Sequence, residues 1–247
     1  MITCDVLGYH PGTNNGLGNQ MFCIAATIAL AAENGTSAIF PDLKLGHYKY
    51  YGETIFHKLD KSANKGFASY IHKELPYSST VYSEIPFING MKISGYFQSY
   101  RYFDHHRQLI LDSFRVPSEM EEQISYKYRH LNLDKSVSIH VRRTDYLKFS
   151  GHYDMLGSGY YKEALKKFDG YEQVIVFSDD IDWCKDNFNS IHKKKTVFIE
   201  GQTDVEDLLL MSKVKNNITA NSTFSWWGAY LNENVNKKIV RPSKWFG

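Results

Sequence analysis

The segment Ser136-Val137-Ser138-Ile139-His140-Val141-Arg142-Arg143-Thr144-Asp145-Tyr146 gathers residue types suited to holding an anion. Side chains on a strand alternate between faces, so Val137, Ile139 and Val141 point one way while Ser138, His140 and Arg142 point the other. A polar strand face in a parallel sheet covered on both sides asks for a ligand, because a buried, unpaired guanidinium is costly. Arg142 offers a planar fork matched to phosphate oxygens, and Asp145 is close enough in sequence to orient either arginine. The competing reading is a structural Arg–Asp pair at a strand end.

Two further stretches fit phosphate. Asn15-Gly16-Leu17-Gly18-Asn19-Gln20 opens an almost wholly apolar helix; its glycines let backbone approach a ligand, and the free amides of a helix start favour anions. A dinucleotide fingerprint would need a third glycine where Met21 stands, and no GxxxxGK is present, so a plain helix-start turn is the alternative. In Asn221-Ser222-Thr223-Phe224-Ser225-Trp226-Trp227-Gly228, small hydroxyl residues precede a helix. Ser222, Thr223 and Ser225 can cap it and, with its amides, bind an anion, although capping alone is commoner. Asp179, Asp180 and Asp182 follow a strand, and Asp180-x-Asp182 spells a metal-binding DxD, but the same residues suit a helix N-terminus, the reading favoured here. The 10 histidines show no HExxH or other metal spacing, so only His140 is singled out, and no metal site is expected. Lys193-Lys194-Lys195 reads as a solvated edge.

Regular alternation positions these residues. Strands are expected over Ser136–Val141, Gln173–Phe177, Thr196–Ile199, Asn217–Ala220 and Lys238–Val240, with helices over Gly159–Phe168, Ile181–Phe188, Val205–Lys213 and Ser225–Leu231. Such alternation means βαβ units on a parallel sheet, with ligands beyond the carboxyl ends of its strands. The first 115 residues are less regular: a helix Asn19–Glu33 stopped by Asn34-Gly35, a strand Ser37–Phe40, a Tyr-rich segment from Tyr48 to Tyr102, and a strand near Met91–Gly95. Arg115 to Asp134 reads as a connector. The expectation is two unequal α/β lobes, residues 1–130 and 131–247.

Composition narrows the class. Of 247 residues, 43% are hydrophobic and 23% charged, which excludes collagen-like, low-complexity or wholly disordered chains. The 29 basic and 27 acidic side chains leave +2, too little for generic polyanion binding, so any anion site is local and a nucleic-acid partner is not expected. Cys4, Cys23 and Cys184 form no CxxC, which argues against a disulfide scaffold or thiolate zinc site. The apolar run Met21–Ala32 falls short of the roughly 20 residues that span a bilayer, and the first 20 residues lack the basic n-region of a signal peptide. A cytoplasmic protein is expected, for which the glycosylation triplets at Asn217 and Asn221 are irrelevant.

In order along the chain, Gly16-Leu17-Gly18-Asn19-Gln20-Met21-Phe22, Gly95-Tyr96-Phe97-Gln98-Ser99, His140-Val141-Arg142-Arg143-x-Asp145-Tyr146, Phe177-Ser178-Asp179-Asp180, and Asp207-Leu208 through Asn221–Ala229 resemble glycosyltransferase family 11, the α-1,2-fucosyltransferases that use GDP-fucose. The resemblance implies a GT-B-like α/β fold with two Rossmann-type lobes and a donor cleft between them, an N-terminal acceptor side and a C-terminal GDP-fucose side. It implies metal-independent, inverting transfer of L-fucose to a galactoside hydroxyl, with no cofactor beyond the donor substrate. The family usually has Gly where Thr144 stands, and Gln-Tyr-Ala where Cys23-Ile24-Ala25 follows the first block.

Breaking the fucose C1 bond builds negative charge on departing GDP, so donors aimed at the diphosphate favour the transition state. Arg142 is assigned the β-phosphate, with Arg143 and Asp145 positioning it and His140 on the same strand face contacting nucleotide or fucose. Gly16, Gly18, Asn19, Asn221, Ser222, Thr223 and Ser225 complete the expected donor site, and Asp207, ahead of Asp179, is assigned the guanine edge. Asp145, His152 and Asp154 are candidate bases. The expected partner is a galactose-terminated oligosaccharide or lipid-linked glycan met by the Tyr-rich segment, whose rings suit core packing equally well; a lipid-linked glycan would allow peripheral contact with the inner membrane face. The alternatives are a metal-dependent transferase with another donor, or a non-catalytic nucleotide-sugar or glycan-binding protein.

Overall fold

The computed structural model describes residues 1–5, 16–44, 48–62, 68–75, 81–148, 154–188 and 191–245. They form two compact units, Met1–Glu121 and Glu122–Gly247.

The N-terminal unit is built on a three-stranded parallel sheet of β1 (Thr3–Cys4), β2 (Tyr70–Lys73) and β3 (Met91–Ser94), in the order β1-β3-β2. Helix α1 (Leu17–Glu33) is buried along nearly all its length, as a helix apolar on every side must be. Gly35, at φ +59°, lies just beyond its end in the left-handed region that glycine adopts freely. Among the described residues, the segment expected as a strand at Ser37–Phe40 makes one bridge, Ala38 with Ile2 beside β1. Its Ile39 and Phe40 are nevertheless buried, so apolar pattern alone overstated its pairing. Short helices α2 (Tyr48–Glu53) and α3 (Arg107–Ser113) complete the unit, and α4 (Ser118–Lys127) spans the boundary.

The C-terminal unit carries β4 (Ser136–Val141), β5 (Gln173–Ser178), β6 (Lys195–Phe198), β7 (Asn216–Ile218) and β8 (Ile239–Val240), all parallel, in the order β6-β5-β4-β7-β8. The order reverses between β4 and β7, and the crevice beyond the carboxyl ends at such a reversal is where open α/β sheets bind ligands. Helices are α5 (Thr144–Lys148), α6 (Ser158–Leu165), α7 (Ile181–Phe188), α8 (Asp204–Lys213) and α9 (Thr223–Tyr230). Val137, Ile139, Val141, Val174 and Val176 pack with residues of α6 and α7, while Ile175 and Phe177 pack with residues of α4 and α8. Both sheet faces are therefore covered. Thr203 and Glu206 form a reciprocal capping box at the start of α8. Gly228 lets α9 approach α8: a Cβ there would lie 2.5 Å from Met211 Sδ.

Candidate functional site

The strand alternation read from sequence sends Val137, Ile139 and Val141 into the apolar cluster and leaves Ser138 and His140 for the other face. Ser138 is satisfied there, its hydroxyl accepting from Asn217 Nδ2 at 2.7 Å. His140 is 5% exposed and packs against Phe224 of α9, with ring centroids 5.4 Å apart. Burial, aided by the Arg142 charge, drives its pKa down to about 3, so the imidazole is neutral at working pH. Its Nδ1 is buried without a hydrogen-bond partner among the described residues.

Just past β4, Arg142 is engaged by two carboxylates. Its Nη2 donates to Asp145 Oδ2 at 2.8 Å, and its Nη1 lies 3.3 Å from Asp179 Oδ2. Burial opposes the guanidinium charge, but the Asp145 bond and the Asp179 field outweigh it and hold the pKa above the ordinary arginine value. A guanidinium has five N–H donors, so two contacts leave donors for a ligand. The sequence left open whether Arg142 pairs with Asp145 or awaits an anion; here the pair exists and the fork keeps spare capacity.

Asp179 is the hub of this corner. Its Oδ1 accepts from the Arg143 amide at 2.9 Å, and its Oδ2 accepts from the Thr144 amide at 3.1 Å and from the Thr144 hydroxyl. It thereby closes the start of α5 and braces Arg142, while the Thr144 hydroxyl adds a donor to it. Arg143 turns away: its Nε donates to Asp180 Oδ2 at 3.0 Å and its guanidinium sits 4.0 Å over the Trp183 ring. Asp180 Oδ1 also accepts from the Trp183 amide, capping α7, whereas Asp182 is exposed. Asp145, Asp179 and Asp180 outnumber Arg142 and Arg143 by one, so the corner alone does not present a net positive field to a diphosphate.

The supplement lies next door on α9. Tyr146 of α5 donates through its hydroxyl to the Asn221 carbonyl at 2.7 Å, tying the residues after β4 to the turn after β7. Ser222 is the N-cap of α9 but makes no side-chain cap bond. Ser225 is fully buried, its hydroxyl accepting from the Ala220 amide at 3.2 Å and donating to Ser222 O at 3.2 Å, so it braces the turn. Asn221 Nδ2 donates to the carbonyls of Asp154 and Trp245, each at 3.0 Å. Asn221 and Asn217 are each 1% exposed, which keeps both glycosylation triplets from solvent. Thr223 is half-buried in the first turn of α9.

Asp207 of α8 follows β6 on the same side of the sheet. Its Oδ1 is buried without a hydrogen-bond partner among the described residues, and burial, reinforced by Asp204 and Glu206, pushes its pKa up to about 7. Asp145 Oδ1 is a third such buried atom. Asp154 is exposed, and His152 lies outside the described residues.

In the N-terminal unit, Gly16 is the N-cap of α1 in an extended conformation, with nothing within 4 Å of the place a Cβ would take. Gly18 is buried in the first turn, and Asn19 Oδ1 accepts from Gln98 Nε2 at 2.9 Å. The turn that carries Gln98 is held by Glu74, whose carboxylate accepts from the amides of Tyr96 at 2.7 Å and Phe97 at 3.0 Å. Glu74 was not singled out from sequence; nothing in its neighbourhood marks it, since the amides it binds are 22 and 23 positions away.

Two α/β units on parallel sheets, the second with polar residues gathered beyond β4 and β7, define a GT-B-like fold. The chain belongs to glycosyltransferase family 11: the profile described as "Glycosyl transferase family 11" matches residues 9–245. An Escherichia coli alpha-1,2-colitosyltransferase is 31% identical over 94% of this chain and 90% of its own length. The E. coli O-antigen biosynthesis glycosyltransferase WbnK is 35% identical over 64% of this chain and 56% of its own, and the galactoside alpha-(1,2)-fucosyltransferase 1 of Aotus azarae is 29% identical over 87% and 62%. Among solved structures, the fucosyltransferase NodZ from Bradyrhizobium superposes with TM-score 0.61 at 10% identity over 92% of this chain and 91% of that one. POFUT1 in complex with GDP gives 0.60 at 12% over 98% of each. At such identities the structural likeness concerns the fold.

Proposed function

We propose that this chain transfers L-fucose from GDP-fucose to a hydroxyl of a glycan acceptor, O2 of a terminal galactose, with inversion and without a metal ion. The observation that carries the reading is that the Arg142-bearing segment after β4 and the turn that opens α9 follow adjacent strands at the sheet's reversal point and are joined by the Tyr146 hydroxyl on the Asn221 carbonyl. The relatives' names supply the α-1,2 linkage and the fucosyl or colitosyl group.

In this reading the spare Arg142 donors and the first amides of α9, with Ser222 and Thr223, take the diphosphate. Their combined field favours the charge that develops as the C1–O bond breaks. Neutral His140 offers Nδ1 to nucleotide or fucose, and Asp207 accepts the paired donors of the guanine edge. Asp145 holds Arg142 through one oxygen, and its other oxygen, buried without a hydrogen-bond partner among the described residues, is the one assigned to take the acceptor proton. Residues 131–247 form the donor side and residues 1–130 the acceptor side. The acceptor is a galactose-terminated oligosaccharide or a lipid-linked glycan.

A second donor deserves the same trial, because the relative matched over nearly its whole length is named a colitosyltransferase and colitose is fucose without its 3-hydroxyl. The experiment supplies GDP-fucose and GDP-colitose, with and without EDTA, to a set of galactose-terminated oligosaccharides and analyses products by mass spectrometry and NMR. An α-1,2-linked deoxyhexose formed in EDTA is expected. GDP binding without product from any acceptor would leave a binding protein, and activity lost to EDTA and restored by manganese would favour the metal-dependent transferase.

A further inference from the structure

At the end of α1 remote from Gly16, a group of side chains has no part in the donor site. Glu33 is the last residue of α1; His105 and His106 come from the 3-10 turn Asp104–His106, more than 70 positions later. One ligand atom from each lies within 4.8 Å of the other two. His105 Nε2 is hydrogen-bonded to Glu33 Oε1, and the two imidazole rings stand 4.7 Å apart. We propose that Glu33, His105 and His106 form a binding site for a divalent transition-metal ion of the zinc class.

Zinc takes imidazole nitrogen and carboxylate oxygen at about 2.0–2.2 Å, which places two ligands of a tetrahedral ion about 3.3 Å apart. His105 and Glu33 are 45% and 43% exposed, which leaves their side chains room to adjust toward that spacing. Two imidazoles and one carboxylate leave coordination positions for water, and this donor set suits Zn²⁺, Co²⁺ or Ni²⁺ better than Mg²⁺ or Ca²⁺. A hydrogen bond between Glu33 and His105 needs only one imidazole; a metal ion uses both. The position adds a second argument. Helix α1 has no basic residue in its last turn, so a cation bound there would complement the negative end of its dipole. At 1.5 Å per residue, the 17 residues of α1 put this site about 25 Å from Gly16. A bound ion therefore clips α1 to the 104–106 turn without entering the donor site.

The test is calorimetric titration of the tag-free chain with Zn²⁺, alongside Co²⁺ absorption spectra, in wild type, His106→Ala and Glu33→Gln. One Zn²⁺ per chain with micromolar affinity is expected, weakened at least tenfold in each variant, together with a zinc-dependent rise in Tm that each variant loses. Circular dichroism checks that the variants, altered at accessible positions, remain folded. Zn²⁺ affinity unchanged by both substitutions, or absence of binding in the wild type, overturns the proposal. Fucose transfer in His106→Ala should equal that of wild type in EDTA, which separates this ion from any effect of metal on catalysis.

Discussion

At the residue scale, Arg142 and Asp207 bear opposite kinds of constraint. Arg142 already has carboxylate partners, so in the proposed role its value to a diphosphate would lie in the geometry of the donors it has left. Arg142→Lys keeps the charge and removes the fork, and should lower kcat on the order of 100-fold with little change in Tm. Steady-state kinetics with GDP-fucose checks this. Asp207 has a folded-state pKa of about 7 against the ordinary 3.8. Between those values the native state holds a proton that the unfolded chain has released, so this group's contribution to stability falls as pH rises from about 4 to 7. Urea midpoints of wild type and Asp207→Asn should therefore draw apart in the variant's favour as pH goes from 5 to 8. If Asp207 binds guanine as a carboxylate, GDP binding should release a proton near pH 6, visible as a buffer-dependent calorimetric enthalpy that Asp207→Asn abolishes.

At the scale of elements, short carboxylate braces hold the loops that carry the motifs. Asp179 fastens the start of α5 to the end of β5 and steadies Arg142 in doing so. Glu74 does the equivalent work for the turn after β3. That turn has no room for a side chain at Gly95, where a Cβ would lie 2.4 Å from Glu74 Cβ, and it holds Phe97 at φ +48°. Gly95→Ala should destabilise the chain by about 1–3 kcal/mol through this overlap, read as a lower urea midpoint. Gln98 rides on the same turn and bonds Asn19 at the start of α1, so the overlap is felt there too.

For the whole molecule, the donor site proposed for the C-terminal unit would make stability depend on ligand. GDP at 100 times its Kd should stabilise the unit that binds it by about 2.7 kcal/mol, raising its Tm by about 5–10 °C. Differential scanning calorimetry with GDP and with AMP as control tests this, and equal shifts from both nucleotides would contradict guanine recognition. Among the described residues no helix is long and apolar enough to cross a membrane.

What the chain announced by itself followed local rules. Alternation of apolar runs with helical periods marked β4 and β5 to within a residue and α7 at both ends, because each pattern is written in adjacent residues. The His140–Tyr146 and Asn221–Gly228 motifs were visible for the same reason. Weak pairing of Ser37–Phe40, the short strands β1 and β2, and the helix α5 were not, since two to five residues carry too little periodicity to read. Tertiary structure alone decided which carboxylate serves which arginine: Asp145 and Asp179 take Arg142, while Asp180 takes Arg143 from 37 positions away. It alone turned Ser225 inward and brought Glu33 to His105 and His106. Such pairings depend on distance in space, and burial, which moves the pKa of His140 down and that of Asp207 up, is a property of what surrounds a residue after the chain has closed around it.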